Sequence, residues 1–183
     1  VLEEAIANGA VTPILIIKGT VYPDGRLQSM QLKGIVPEQK VVAIPGIHLN
    51  DDSEAIPAVI GKRMAKSCKL NEGDITTIRW RDINGTFDAA EVQVVKIFNC
   101  NVPNVDAGQI WISLKSLQEM MQSPDEATLF VISKDAEMDE QVPGWEYKDY
   151  NYLMTEMNEM MKMKRVGGSF FYVILMLLAM LAI

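Results

Sequence analysis

The feature that most constrains this chain is its C-terminal segment, which is apolar without interruption. From Phe170 to Ile183 the sequence is FFYVILMLLAMLAI, without a charged residue, glycine or proline. A helix that crosses a bilayer needs about 20 apolar residues, and a segment this apolar would form a large exposed patch on a soluble protein. We therefore expect residues 167–183 to be a truncated transmembrane helix rather than a buried core helix or a terminal strand. The residues expected to face lipid are Phe170, Phe171, Val173, Ile174, Leu177, Leu178 and Leu181.

A second helix is predicted at 149–166, directly before the apolar run. Apolar residues recur there at the i, i+3 and i+4 spacing of an amphipathic helix. This stripe consists of Tyr150, Leu153, Met157, Met160 and Met161. It favours packing against a partner helix or the preceding domain, and its methionines would make that surface adaptable.

The charges of the chain exclude one class of function. Its formal net charge is −7, and nucleic-acid binding requires clustered lysine and arginine. The one dense basic run, Lys162, Lys164 and Arg165, directly precedes the apolar segment and is typical of a membrane flank. By the positive-inside rule this flank alone would place the preceding domain in the cytoplasm.

The first 148 residues predict a mixed α+β domain. Two hairpins are expected, one with strands at 13–18 and 27–36, the other with strands at 75–83 and 87–98 around Asn84-Gly85. Short strands are expected at 58–60, 109–112 and 127–133. Helices are expected at 62–68 and 114–122, with Ser113 as the N-cap of the second. We find no internal repeat in the sequence.

Little in the sequence predicts catalysis. His48 is the only histidine and lies in a predicted loop, and there is no nucleophile motif to accompany it. The carboxylates at 51–52 and 135–140 lack the spacing of a calcium loop. Cys68 and Cys100 lack metal spacing and could be two free thiols or one disulfide. We therefore predict no catalytic residue, cofactor or metal site, and no enzyme activity.

Several segments resemble one family of membrane proteins. Residues 32–38, LKGIVPE, are similar to an L-x-G-I-x-P-E segment of that family, and residues 60–65, IGKRMA, followed by Leu70 and Gly73-Asp74, are similar to a second segment. Residues 109–114 resemble a strand-to-helix segment, and the chain from Met163 resembles the start of an FtsX-like membrane region. Together these segments resemble the permease subunits of MacB-like and lipoprotein-releasing (LolC/LolE-like) ABC transporters.

The resemblance implies a two-lobed organisation. Residues 1–148 would form an extracytoplasmic MacB-like core domain. Its Porter-like lobe would take about 1–50 and 123–145, with a Sabre-like lobe inserted at about 54–122. Residues 149–166 would be a stalk helix and residues 167–183 the start of the FtsX-like membrane region. The tight turn at Asn84-Gly85 departs from the long hooked hairpin that recruits a carrier in lipoprotein-releasing subunits.

The resemblance also implies a function and its partners. The domain would face the periplasm from the cell inner membrane. It would pair with a second permease subunit, identical or different, and with a separate ATPase subunit. By mechanotransmission it would couple ATP hydrolysis to the extrusion or release of a lipoprotein, a peptide or another amphiphile. The alternative is a single-pass, membrane-anchored binding or sensor module without a transport role.

Overall fold

A computed structural model describes residues 2–51, 53, 55–136, 142–155, 159 and 163. The chain divides into two compact units, Val1–Glu137 and Met138–Ile183. The first unit holds every strand among the described residues, and a short helix at 150–155 belongs to the second. The predicted transmembrane helix at 167–183 lies outside the described residues.

The first unit contains seven strands and four α-helices within residues 2–136. The strands are β1 (Val11–Val21), β2 (Gln28–Ile35), β3 (Ile56–Gly61), β4 (Ile75–Arg81), β5 (Phe87–Phe98), β6 (Gln109–Ser113) and β7 (Leu129–Ile132). The helices are α1 (Leu2–Ala7), α2 (Lys62–Cys68), α3 (Pro103–Ala107) and α4 (Leu114–Met121). Short 3₁₀ helices occupy Pro23–Gly25 and Gly46–Asn50.

Six of the strands close into a barrel. Neighbouring strands pair in the order β1, β2, β6, β3, β5 and β4, and β4 pairs with β1 again at Gly19–Val21. Two pairs, β2 with β6 and β3 with β5, are parallel, and the other four are antiparallel. Closure leaves these six strands without a long free edge. The seventh strand, β7, pairs with the start of β1.

The barrel consists of two halves with the same topology. Each half is a hairpin followed by a strand and a helix: β1, β2, β3 and α2 in the first, and β4, β5, β6 and α4 in the second. The second hairpin strand of each half pairs in parallel with the third strand of the other half. The equivalent strands β1 and β4 pair antiparallel, as do β3 and β6. The sequence did not predict this approximate two-fold repeat, because the repeat is defined by the order and pairing of the strands and not by similar residues.

The predicted α+β class is confirmed, and most predicted elements lie where they were expected. Both hairpins form, α2 covers 62–68, and Ser113 caps α4 by accepting a hydrogen bond from the Ser116 N–H at 3.0 Å. Strands assigned to the two predicted lobes pair with each other, β1 with β4 and β2 with β6, so both lobes share one sheet. Helix α3 was not predicted; its proline at the first turn suits a helix start.

The barrel interior is the main hydrophobic core. Strand β4 alternates, with Thr76, Ile78 and Trp80 buried and their neighbours more exposed, which is the pattern of a strand with one face inside. Met64 of α2 and Leu117 of α4 are both fully buried in this core. Each such large apolar side chain contributes about 1.5–3 kcal/mol on burial. Each helix is therefore anchored to the barrel by a side chain buried in the common core.

A second, smaller core covers the outside of the sheet. Ile44 and Leu49, from the segment between β2 and β3, pack on Ile35, Val59 and Trp111. That segment was predicted to be mostly loop, and its short 3₁₀ helix, Gly46–Asn50, buries Leu49. The Lys33 ammonium lies 5.0 Å from the centre of the Trp111 ring, and burial lowers the pKa of Lys33.

Helix α2 begins against α3 through a close backbone contact at Gly61. The buried Asp106 carboxylate accepts a hydrogen bond from the Arg63 N–H at 3.2 Å, and its other oxygen lies 3.3 Å from the Arg63 Nε. It thereby caps one of the free N–H groups at the start of α2. A Cβ atom on Gly61 would lie 2.5 Å from the Asp106 Oδ1 and would also meet its backbone oxygen.

We therefore expect Gly61→Ala to destabilise the first unit. The added methyl group would push α3 away from α2, and overpacking of this kind costs about 1–3 kcal/mol. Urea unfolding followed by tryptophan fluorescence measures the change. Gly108→Ala is the matched control in the same region, because the nearest atom to its Cβ is 3.9 Å away. Equal stability of the two variants would contradict the role given to Gly61.

Candidate functional site

The described part of the predicted stalk is a helix at 150–155. Asp149 caps it: its Oδ1 accepts a hydrogen bond from the Tyr152 N–H at 2.7 Å, and its backbone oxygen accepts one from the Leu153 N–H at 3.1 Å. A short acidic side chain at this position satisfies a free N–H group and suits the positive end of the helix dipole. The helix therefore begins where the sequence predicted.

Apolar and aromatic side chains are exposed on and before this helix. Tyr150 is 73% exposed and Leu153 is 50% exposed; their i, i+3 spacing puts them on one face. Trp145, Tyr147 and Tyr152 are exposed nearby, and the Lys148 ammonium lies 5.1 Å from the centre of the Tyr152 ring. An exposed patch of large apolar side chains is typical of an interaction surface.

The structure does not describe the remaining residues of the predicted interface. Met157, Met160 and Met161 lie outside the described residues, as does the whole lipid-facing set from Phe170 to Leu181. Among the described residues, no helix combines the length and the apolarity needed to cross a bilayer. The interface at the three methionines and the transmembrane helix therefore remain predictions.

The residues considered for chemistry are dispersed. His48 is exposed on the 3₁₀ helix Gly46–Asn50, and Asp51 is exposed directly after it. Asp135 is exposed in the turn after β7. Asp52 lies outside the described residues. Within the described part of the chain, no three metal-ligating side chains cluster in a way that could hold an ion.

Glu72 is a carboxylate with two defined contacts at the end of β5. Its Oε1 accepts a hydrogen bond from the Ile97 backbone N–H at 2.9 Å and lies 3.0 Å from the Lys96 ammonium. The Ile97 hydrogen bond, and secondly Lys96, hold the pKa of Glu72 below its usual range. Because Ile97 lies beyond the part of β5 that pairs with β4, the carboxylate replaces a strand partner at this edge. The role of Glu72 is therefore structural.

We expect the stability of the protein to depend on Glu72 at acidic pH. A carboxyl group with a lowered pKa in the folded state stabilises that state above its unfolded pKa, here 4.5, and this stabilisation is lost as the pH falls through the lower folded value. Glu72→Gln should therefore lose less stability than the wild type between about pH 5 and pH 3. Thermal unfolding across this range measures how steeply the stability of each variant falls with pH. Glu91→Gln, at an exposed position of β5, is the control, and an unchanged slope in Glu72→Gln would contradict the assignment.

The two cysteines are separate free thiols, so of the two possibilities left open by the sequence the structure shows the first. Cys68 is 3% exposed in the main core, and its thiol donates a hydrogen bond to the Gln28 Oε1 at 3.3 Å. Burial raises the pKa of Cys68. Cys100 is half-buried, and its sulfur accepts a hydrogen bond from the Val102 N–H at 3.4 Å.

These surroundings predict unequal reactivity of the two thiols. The thiolate is the reactive form, so burial and a raised pKa both protect Cys68. Alkylation with iodoacetamide at pH 8, followed by mass spectrometry, should label Cys100 about tenfold faster or more than Cys68. In denaturant the two rates should converge. Equal rates in the folded protein would show that the core around Cys68 opens readily.

A cluster on the β4–β5 hairpin was missed in the sequence. Two arginines flank the exposed ring of Phe87: the Arg79 guanidinium lies 5.5 Å and the Arg81 guanidinium 5.8 Å from its centre. Phe87 is opposite Arg81 in the strand register. The alternation of Ile75, Thr77, Arg79 and Arg81 on the outward face of β4 is the signal that could have predicted this cluster.

Comparison with known proteins shows likeness at the level of solved structures only. No family model matches this chain, and no curated protein matches it. Among solved structures, the chain is similar to the crystal structure of the extracellular domain of the noncanonic ABC-type transporter YknZ from Gram-positive bacteria, with 14% identity, a TM-score of 0.47 and 73% of each chain covered. At that identity and TM-score, the likeness assigns no function to the chain.

Proposed function

We propose that this chain is the extracytoplasmic domain of an ABC-transporter permease subunit of the MacB-like or lipoprotein-releasing type. The four sequence segments that resemble this family support the proposal, and they include the start of an FtsX-like membrane region. In this proposal the first unit faces the periplasm, and residues 167–183 enter the cell inner membrane. ATP hydrolysis is assigned to a separate subunit.

The observation on which the proposal rests most is the capped helix that begins at Asp149. From Asp149 to Val166 the sequence contains no glycine or proline, so nothing in it interrupts a helix through the basic flank; Gly167, Gly168 and Ser169 then precede the apolar run at Phe170. A helix over these 18 residues would be about 27 Å long. A helix of that length, rigid enough to move as a unit, could transmit motion between the membrane and an external domain.

The exposed apolar face of this helix supports the proposal that the helix contacts a partner subunit. Tyr150 and Leu153 are exposed on the described turns, and Met157, Met160 and Met161 continue the same stripe in the sequence. We assign this stripe to contact with a second permease subunit, identical or different. The cargo is proposed to be a lipoprotein, a peptide or another amphiphile.

Insertion of a flexible segment would test whether the helix at 149–166 acts as a lever, that is, whether it transmits motion between the membrane and the external domain. A Gly-Ser segment placed at Val166 in the intact transporter should reduce cargo transport about tenfold or more while ATP hydrolysis continues, because motion would no longer pass through the helix. Transport and ATPase assays in proteoliposomes measure both rates.

The control is the same insertion at Gly25, an exposed turn position around which a Cβ atom would meet nothing within 4 Å. This variant should transport normally. Full transport by the Val166 variant would contradict the lever. A protein that assembles with no ATPase subunit would favour the alternative, a membrane-anchored binding or sensor module.

A further inference from the structure

A groove with one basic wall lies in the first unit, between α2 and the C-terminal end of β5. Its volume is about 720 Å³. Lys62, Lys66 and Lys69 line it together with apolar side chains from the end of α2 and from β5. These apolar residues are Leu70, Ile97 and Phe98, each half-buried against a core cluster, so part of each side chain faces the groove.

The lysines of the groove are largely uncompensated in a chain of net charge −7. Lys62 and Lys66 are exposed and form no ion pair with any residue that the structure describes. Lys69 lies 3.8 Å from the Asp24 carboxylate, with both side chains about 70% exposed, and a pair of this kind contributes little. The groove therefore presents positive charge that the domain itself does not neutralise.

The stability of α2 does not explain this row of lysines. Lys62 is the first residue of the helix, where the helix dipole disfavours positive charge. Helix α4 follows the equivalent strand in the other half of the barrel. Aligning the buried Met64 with Leu117 also aligns the left-handed residues that end the two helices, Lys69 and Gln122, and gives the equivalent positions. Lys115, Glu119 and Gln122 then stand in place of the three lysines. The same helix position thus folds with no net charge on this face.

The spacing of the lysines points to the shape of the ligand. Lys62 and Lys66 lie one turn apart on the same face of α2, and Lys69 directly follows the helix as its left-handed C-cap. The three positions span about 10 Å. A single small head group would contact one or two of these ammonium groups. Carboxylates at the same spacing on a second helix would contact all three, and apolar side chains beside them would cover Leu70, Ile97 and Phe98.

We propose that this groove binds an acidic, amphipathic helical segment of a partner protein. Such helix-in-groove recognition uses an apolar stripe for affinity and charged rim residues for orientation and association rate. The proposal concerns the first unit alone and does not depend on a transport role.

A designed peptide provides the test. It is a labelled helical peptide of about four turns, with glutamates at i, i+4 and i+7 and leucines on the adjoining face, titrated into the 183-residue chain in neutral detergent. Fluorescence anisotropy should show saturable binding that weakens with added salt. The double variant K62E/K66E should bind about tenfold more weakly or worse, since two favourable charge pairs become repulsive.

The matched control is K40E/K115E, which makes the same charge change at exposed positions outside the groove and should retain binding within about twofold. The milder K62Q/K66Q should fall between the wild type and K62E/K66E. Peptides with glutamine for glutamate, or serine for leucine, should each bind more weakly.

Four results would overturn the proposal. The first is equal binding by K62E/K66E and the wild type, and the second is an equal loss in K40E/K115E. The third is no loss with the serine peptide, which would indicate charge attraction without a groove. The fourth is lysine-dependent binding of soluble dioctanoyl phosphatidylglycerol that displaces the peptide, which would make the ligand a lipid.

Discussion

The fold depends on two parallel strand pairs that cross between its halves. Strand β2 pairs with β6 and strand β3 with β5, so neither half completes its sheet without the other. Parallel neighbours require long connections. Here the chain from β2 to β6 contains β3, α2, β4, β5 and α3, and the chain from β3 to β5 contains α2 and β4. Breaking either pair would open the barrel and expose the buried faces of strands from both halves.

Closure of the barrel also determines where the helices lie. Each helix follows directly after the third strand of its half, and buries a fully enclosed side chain, Met64 or Leu117, in the common core. The start of α2 is then set by contact with α3, where Asp106 lies against Gly61. Because this contact fixes α2 beside the end of β5, the outward lysines face a groove rather than an open surface.

The second unit offers a different kind of surface. Its described helix starts at a side-chain cap on Asp149 and exposes Tyr150 and Leu153, which are poor choices for a surface in contact with water alone. The first unit has a closed barrel, a buried thiol and a carboxylate held at a strand edge. The proposed lever and the proposed peptide groove thus lie on separate units and use separate chemistry.

The α+β class, both hairpins, helix α2, the cap at Ser113 and the start of the helix near Asp149 could be predicted from the sequence because turns, caps and periodicity act within a few residues. The same local pattern predicted the apolar stripe of the stalk and the apolar run after it. The closed barrel, its two-fold repeat and the sharing of one sheet by both predicted lobes were decided only by tertiary structure. Strand partners far apart in the chain leave no local signal, and neither does the approach of Asp106 to Gly61. Lys62, Lys66 and Lys69 were visible in the sequence, but Ile97 and Phe98 on the apolar side of their groove come from β5, more than 25 residues later, and only folding brings the two together.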